Sequence, residues 1–263
     1  MQGMPTRCAS PTKRDVPVRG RRASDTITGG VENNDISNFT IFPAPLCISN
    51  PQGGTLPQER VAVYVDGFNL FYGMRSKGWR RYYWLDLQKL AENLLRSHQR
   101  LETIRYFTAS LFHDSDDAGK ATRQATYLEA LQTLSCLSIH HGYFQPQEIK
   151  CRKCGNVWRT YEEKMTDVNI SVTLLNDAQD DLFDTAMIIS ADSDLVGPVE
   201  AVLQRYPEKR VIAAFPPDRK SKHLRQVANA SFTIGRNKLR DSQLPDEVTR
   251  ADGFVLRRPA SWT

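Results

Sequence analysis

Two rhythms of apolar residues run along this chain. Short unbroken runs, Val61–Val65 and the stretch 185–190, fit strands buried on both faces. Between such runs, apolar residues recur every three or four positions, the spacing of a helix with one buried stripe. Read in order, the pattern predicts a strand at 61–65, a helix at 85–95 with Leu87, Leu90, Leu94 and Leu95 on one stripe, and a strand at 101–110. A long helix at 118–137, with Tyr127, Leu128, Leu131 and Leu134 as its core face, leads to a strand at 137–144. A helix from 163 to about 178, a strand at 186–190, a helix at 195–204 and a strand at 210–215 follow. A helix at 221–228 and a short strand near Phe232 complete the series. Strands alternating with helices predict an α/β fold, a mostly parallel Rossmann-like sheet with helices on both faces in three layers.

One domain is expected from about 59 to 242. Residues 1–58 are rich in Pro, Gly, Ser, Thr, Asn and Arg, show no sustained period, and read as a mostly disordered tail. Residues 243–263 read as a C-terminal extension.

The ends of the runs carry the candidate chemistry. Asp66 closes the first strand, and Asp192 and Asp194 follow Ser190 at the end of the later one. In a parallel α/β sheet, ligands bind outside the carboxyl ends of the strands, so these acids can meet from distant parts of the chain. Asp167 lies in the helix between them, an interior position that Asp does not favour by propensity. Clustered carboxylates without nearby His or Cys suit Mg²⁺ or Mn²⁺ and metal-assisted chemistry on phosphates. Asn69, Ser190 and Ser193 are placed to hold a carboxylate, a water or a phosphate. Glu163, one turn before Asp167, would support the metal, and Lys164 would touch phosphate or balance charge. The plainer readings are a helix cap for Asp66, an ordinary loop for Asp192-Ser193-Asp194, and dipole complementarity for the glutamates.

Charge and cysteine content sharpen the picture. The net charge is +5, and ten Lys or Arg residues between Arg205 and Arg240 face only Glu208 and Asp218. That segment is either a basic face for a phosphate backbone or a solvated surface. Cys151 and Cys154 form half of a structural Zn²⁺ site, with His140, His141 and Cys136 at spacings that match no standard finger. A half-site in a dimer or a simple turn are the alternatives, and a homodimer is therefore a partner to consider. Five cysteines, an odd number, suit a reducing compartment. No run reaches the ~18 apolar residues of a membrane span, and 1–10 lacks the apolar core of a secretory signal. Aromatic residues gather at 68–84; they can pack a core or stack unpaired bases.

Three ordered motifs carry a resemblance. Val65-Asp66-Gly67-Phe68-Asn69-Leu70, the stretch from Glu162 to Asn169, and Ser190-Ala191-Asp192-Ser193-Asp194-Leu195 look like the signatures of the NYN domain. Together with the Ser242–Asp246 and Arg258–Trp262 segments, they resemble its bacterial LabA-like branch. The resemblance implies a PIN-like fold and a cytoplasmic, metal-dependent ribonuclease acting on RNA, single-stranded in the simplest case. It maps the acidic positions onto Asp66, Asp167, Asp192 and Asp194. The third motif usually carries Gly where this chain has Ala191. The alternative is a non-catalytic nucleic-acid-binding or regulatory module that keeps the acidic pocket. An aspartyl-nucleophile phosphatase would need Asp-x-Asp at the first strand end, where this chain has Asp66-Gly67-Phe68.

Overall fold

The computed structural model describes residues 58–110, 118–151 and 154–262; all but the last position of the expected N-terminal tail lies outside them. Its strands are β1 (Glu59–Asp66), β2 (Gln99–Ala109), β3 (Leu137–Lys150), β4 (Val157–Lys164), β5 (Thr185–Ile189), β6 (Arg210–Phe215) and β7 (Ala230–Thr233). They form one sheet in the order β4-β3-β2-β1-β5-β6-β7, and every pair from β3 through to β7 is parallel. Its helices are α1 (Gly67–Ser76), α2 (Leu87–Leu94), α3 (Ala118–Leu131), α4 (Thr166–Gln179), α5 (Val196–Arg205), α6 (Lys222–Val227) and α7 (Arg236–Arg240).

Side-chain alternation along β1 decides the three layers. Val61, Val63 and Val65 pack with Leu70 and Met74 of α1, Leu87 and Leu90 of α2 and Leu131 of α3. Ala62 and Tyr64 face the opposite way, onto Ile170 and Leu174 of α4, Val199 and Val202 of α5 and Leu224 of α6. A central strand buried on both faces needs an apolar run rather than alternation, which is what 61–65 shows.

The chain departs from the expected elements in three places. β3 runs on to Lys150, and the cysteine-containing connection holds an additional strand, β4. Glu163 and Lys164 therefore end a strand, and α4 begins at Thr166 after Met165 in a left-handed conformation, φ +80°. α4 also docks through Thr166, Ile170, Leu174, Asp177 and Ala178, whereas Val168 and Val172, one turn apart and apolar, are each 52% exposed. After α7, β8 (Glu247–Thr249) and β9 (Val255–Arg257) form an antiparallel ribbon. Its Val248 and Leu256 pack on Trp84, whose indole N–H donates to Pro245 O (2.7 Å).

Residues 148–160 group apart from the compact unit that holds the other described residues. Within this segment the strands are joined by a turn in which Cys151 N–H donates to Asn156 O (2.7 Å) and Gly155 N–H to Cys151 O (2.9 Å). Gly155 sits at φ +71°, a conformation that favours glycine.

Under the sheet, the Arg105 guanidinium grips Asp177 with Nη2–Oδ1 at 2.7 Å and Nε–Oδ2 at 3.1 Å, and the Tyr64 hydroxyl donates to the same Oδ2 (2.8 Å). All three are buried. Removing one member of a buried pair strands the other charge. Asp177→Ala is therefore expected to lose about 3–5 kcal/mol in urea unfolding, and the double change Arg105→Met with Asp177→Leu to lose less than the single. Equal stability of Asp177→Ala and wild type would remove the triad from the account.

His140, on β3, stacks on Phe107 (4.7 Å, 25°) and shares a hydrogen bond with Ser138 Oγ (3.1 Å). Burial, then the Arg105 and His141 charges, lowers its pKa to about 4. The unfolded imidazole takes up a proton below its ordinary 6.5 while the folded one does not. His140 thus withdraws stability as pH falls from 6.5 toward 4, by up to about 3 kcal/mol. In denaturant titrations across that window, His140→Gln should lose less stability on acidification than wild type; parallel pH curves would contradict this.

Candidate active site

The strand order reverses at β1, which has β2 on one side and β5 on the other. Such a switch point opens a crevice beyond the carboxyl ends of the two strands. Asp66 stands at the end of β1, and Ser190 to Asp194 follow β5.

Asp66 is 5% exposed. Its Oδ1 accepts from Asn69 N–H (2.9 Å), so it caps α1, and its Oδ2 accepts from the Ser190 hydroxyl (2.9 Å). Cap and candidate site are therefore the same residue. Ser190 Oγ in turn accepts from Asp192 N–H (3.1 Å), and Asn69 Oδ1 accepts from Ala191 N–H (3.2 Å). These bonds lock the β1–α1 corner to the β5 turn. Gly67 makes the corner possible: a Cβ there would lie 2.6 Å from the Tyr106 hydroxyl and 2.8 Å from Phe107 O.

Asp192 caps the short 3-10 turn Ser193–Leu195 through its Oδ1, which accepts from Asp194 N–H (3.0 Å). Asp167 stands in the first turn of α4. Glu163 accepts from Thr166 N–H (3.2 Å) and from the Thr166 hydroxyl, so it caps α4 from the end of β4. Gly142 of β3 lets this corner close, since a Cβ there would meet Lys164 O at 2.5 Å. Lys164 pairs with Glu162 (2.9 Å), and Ser193 is exposed.

The acids share one electrostatic field. Burial, despite the Asn69 and Ser190 hydrogen bonds and aided by the charges of Asp192 and Glu163, pushes Asp66 up to about 6. Burial, then repulsion from Asp192, Asp66, Glu163 and Asp194, pushes Asp167 up to about 7. No cation stands among the five largest contributions to either shift. The donor set is all oxygen, and its charge is uncompensated, which fits a hard divalent ion. Among the described residues, no three His, Cys, Asp or Glu side chains converge closely enough to hold one as they stand. Nor, among the described residues, do three such side chains gather at Cys151 and Cys154; Cys136 is buried, and the His140 and His141 rings lie against Ser138 and Ser110.

The basic segment 205–240 is not one face. Lys209 is buried, donating to Asp181 (2.7 Å) and Phe183 O (2.8 Å) beyond the opposite end of β5 from Ser190. Arg236 donates to the Tyr82 hydroxyl (3.1 Å), and Arg240 pairs with Asp241 (2.7 Å). Arg219 and Lys220, after the carboxyl end of β6, line a cleft with Ala191. Residue spacing alone separated none of these fates.

The fold is a three-layer α/β sandwich with carboxylates gathered at its switch point. The NYN domain family model matches residues 60–235, and the chain belongs to that family. A curated relative, 6-hydroxy-3-succinoylpyridine 3-monooxygenase HspA of Pseudomonas putida, is 27% identical over 190 residues, 60% of this chain. This chain spans 59% of that relative's length. A solved structure of a protein of unknown function from Vibrio parahaemolyticus aligns with 73% of this chain and all of its own, at a TM-score of 0.45 and 20% identity. No helix among the described residues is long and apolar enough to cross a membrane.

Repulsion among the acids has a direct consequence. With EDTA present at neutral pH, Asp167→Asn should unfold at a higher temperature than wild type, by roughly 1–2 kcal/mol of added stability. A lower melting temperature would mean that the Asp167 carboxylate has a favourable partner in the folded state.

Proposed function

We propose that this protein is a metal-dependent ribonuclease that hydrolyses RNA phosphodiester bonds. The observation carrying this reading is the shared field of Asp66, Asp167, Asp192 and Asp194, drawn from three chain segments to one end of the sheet, where burial and their mutual repulsion raise Asp66 and Asp167. Asp66, Asp167 and Asp192 would hold Mg²⁺ or Mn²⁺, with Asp194 and Glu163 in support. The bound ion would polarise a phosphoryl oxygen and supply activated water. Ser190 and Asn69 N–H hold the two Asp66 oxygens in fixed directions, so the carboxylate reorganises little on binding. Asn69 also fixes the backbone at Ala191, immediately before Asp192, so the two acidic corners move as one. Ser193 has an exposed hydroxyl available to a substrate phosphate, and Arg219 and Lys220 supply positive charge at the rim. The motif resemblance supports reading it as a member of the LabA-like branch acting in a bacterial cytoplasm.

The similarity to HspA favours a second reading, oxygenation of a small aromatic acid. A non-catalytic RNA-binding module is the third. One set of assays separates them: end-labelled single-stranded RNA with Mn²⁺, Mg²⁺ or EDTA, and 6-hydroxy-3-succinoylpyridine with oxygen and a reductant. The ribonuclease reading expects RNA cleavage that EDTA abolishes and that Asp192→Asn lowers by a factor on the order of 100 or more. Equal cleavage by Asp192→Asn, or turnover of the pyridine without any RNA cleavage, would defeat it.

A further inference from the structure

Seven aromatic residues lie between 68 and 84, and Tyr72 alone among them is exposed, at 41%. Tyr82, Tyr83 and Trp84 are buried, and Phe71 and Trp79 pack on the core. Tyr72 stands on α1, whose first residue follows Asp66. The Phe68 ring lies 6.3 Å away at 27°, nearly parallel to it. Two guanidinium groups attend the same ring, Arg75 at 6.0 Å and Arg219 at 5.8 Å from its centroid. Phe68 and Arg75 meet this ring by helix spacing within α1, whereas Arg219 reaches it from the loop after β6, a contact only the tertiary fold supplies.

Beside this ring is a cleft of about 310 Å³ lined by Ser76, Ala191, Asp218, Arg219 and Lys220. Ser76 is one helical turn from Tyr72, and Ala191 adjoins Asp192. Lys77 pairs with Asp218 (2.6 Å), which offsets the one carboxylate in the lining and leaves Arg219 and Lys220 to set its sign. The walls are held at fixed separation. A Cβ on Gly73 would lie 2.7 Å from Pro217 O and 2.9 Å from Pro216 Cβ, so α1 and the loop meet at closest approach there.

A planar, open aromatic with cations on hand, next to a small basic cleft, matches a nucleotide taken apart: base on the ring, phosphate in the cleft. We infer that Tyr72 is a stacking platform for an unpaired base, and that Arg219 and Lys220 receive the adjoining phosphate of a single-stranded nucleic acid. This rests on the proposed function, since it leads a strand along α1 toward Asp192. A duplex keeps its bases stacked on one another and offers no face to a lone ring, so the site selects single strands.

Binding without cleavage tests this. The full chain is titrated in EDTA against a short fluorescein-labelled oligouridylate, the matching oligothymidylate and an abasic chain of equal length, read by anisotropy. Tyr72→Ala is expected to weaken binding to the base-bearing strands about tenfold, to leave abasic binding unchanged, and to be rescued by Tyr72→Phe. The double change Arg219→Ala with Lys220→Ala should weaken all three strands alike and lower the salt dependence by roughly one to two in log–log slope. Melting curves check that each variant is folded, which an exposed Tyr72 leads one to expect. Base-bearing strands bound equally by wild type and Tyr72→Ala, or an equal loss on the abasic chain, would overturn the inference. Tyr72-dependent binding in a protein that cuts nothing with any divalent ion would uphold it while defeating the ribonuclease reading. Cleavage that ignores Tyr72 would do the reverse.

Discussion

Asp66 is a carboxylate with almost no access to water, and much of the surrounding architecture follows from keeping it there. A buried charge needs hydrogen-bond donors, a counter-charge or a proton. Here two donors arrive from different chain segments, Asn69 N–H from the turn it caps and the Ser190 hydroxyl from the end of β5. They leave the like charges of Asp192 and Glu163 unopposed, and the carboxyl holds its proton to about pH 6. The corner is then a place of stored repulsion, which a cation or a proton relieves. Gly67 and Gly142 permit the close approaches at two of its edges.

The topology explains why distant acids meet. β1 and β5 are neighbours although more than a hundred residues separate them, and both end at the switch point. α4 carries Asp167 to the same end because its other side is anchored below the sheet. That anchor is polar as well as apolar: Ile170 and Leu174 fill the layer, while Asp177 is clamped by Arg105 and Tyr64. A helix held at several points along its length presents its first turn with little freedom.

Charge is sorted by position in the sheet and not by position in the sequence. The ends of β1 and β5 remote from Asp66 are tied by Arg60, Asp181, Asp184 and Lys209, with Asp184 gripping Arg60 at 2.7 Å. At the opposite end no ion pair to Asp66, Asp167, Asp192 or Asp194 is formed among the described residues, and Arg219 and Lys220 line a cleft that also includes Ala191. One pole is neutralised within the fold and the other is left polarised. Membership of the NYN family fits a domain whose polarised pole meets a polyanion through a cation.

Much of this was legible in the residues alone. The unbroken runs at 61–65 and 185–190 could only be central strands, and β6 falls on its expected bounds of 210–215. The acids at strand ends, and the motifs around them, marked the site because both features are local: a strand end, a turn and a cap are set by a few adjacent residues. What local pattern could not supply was partnership. Val168 and Val172 look like core by spacing and stand in solvent, because Asp177 on the packing side finds Arg105 and Tyr64. Glu163 looks like the first turn of a helix and ends a strand, because the preceding residues pair at the sheet edge. Lys209 and Arg219 are equal members of a basic run, yet one is buried against Asp181 and the other reaches Tyr72. The sequence by itself determined the layers and the chemical character of the site, since burial pattern and residue type are properties of single positions. Only the tertiary structure decided which charges are neutralised and which remain for a ligand, since that depends on contacts between residues far apart in the chain.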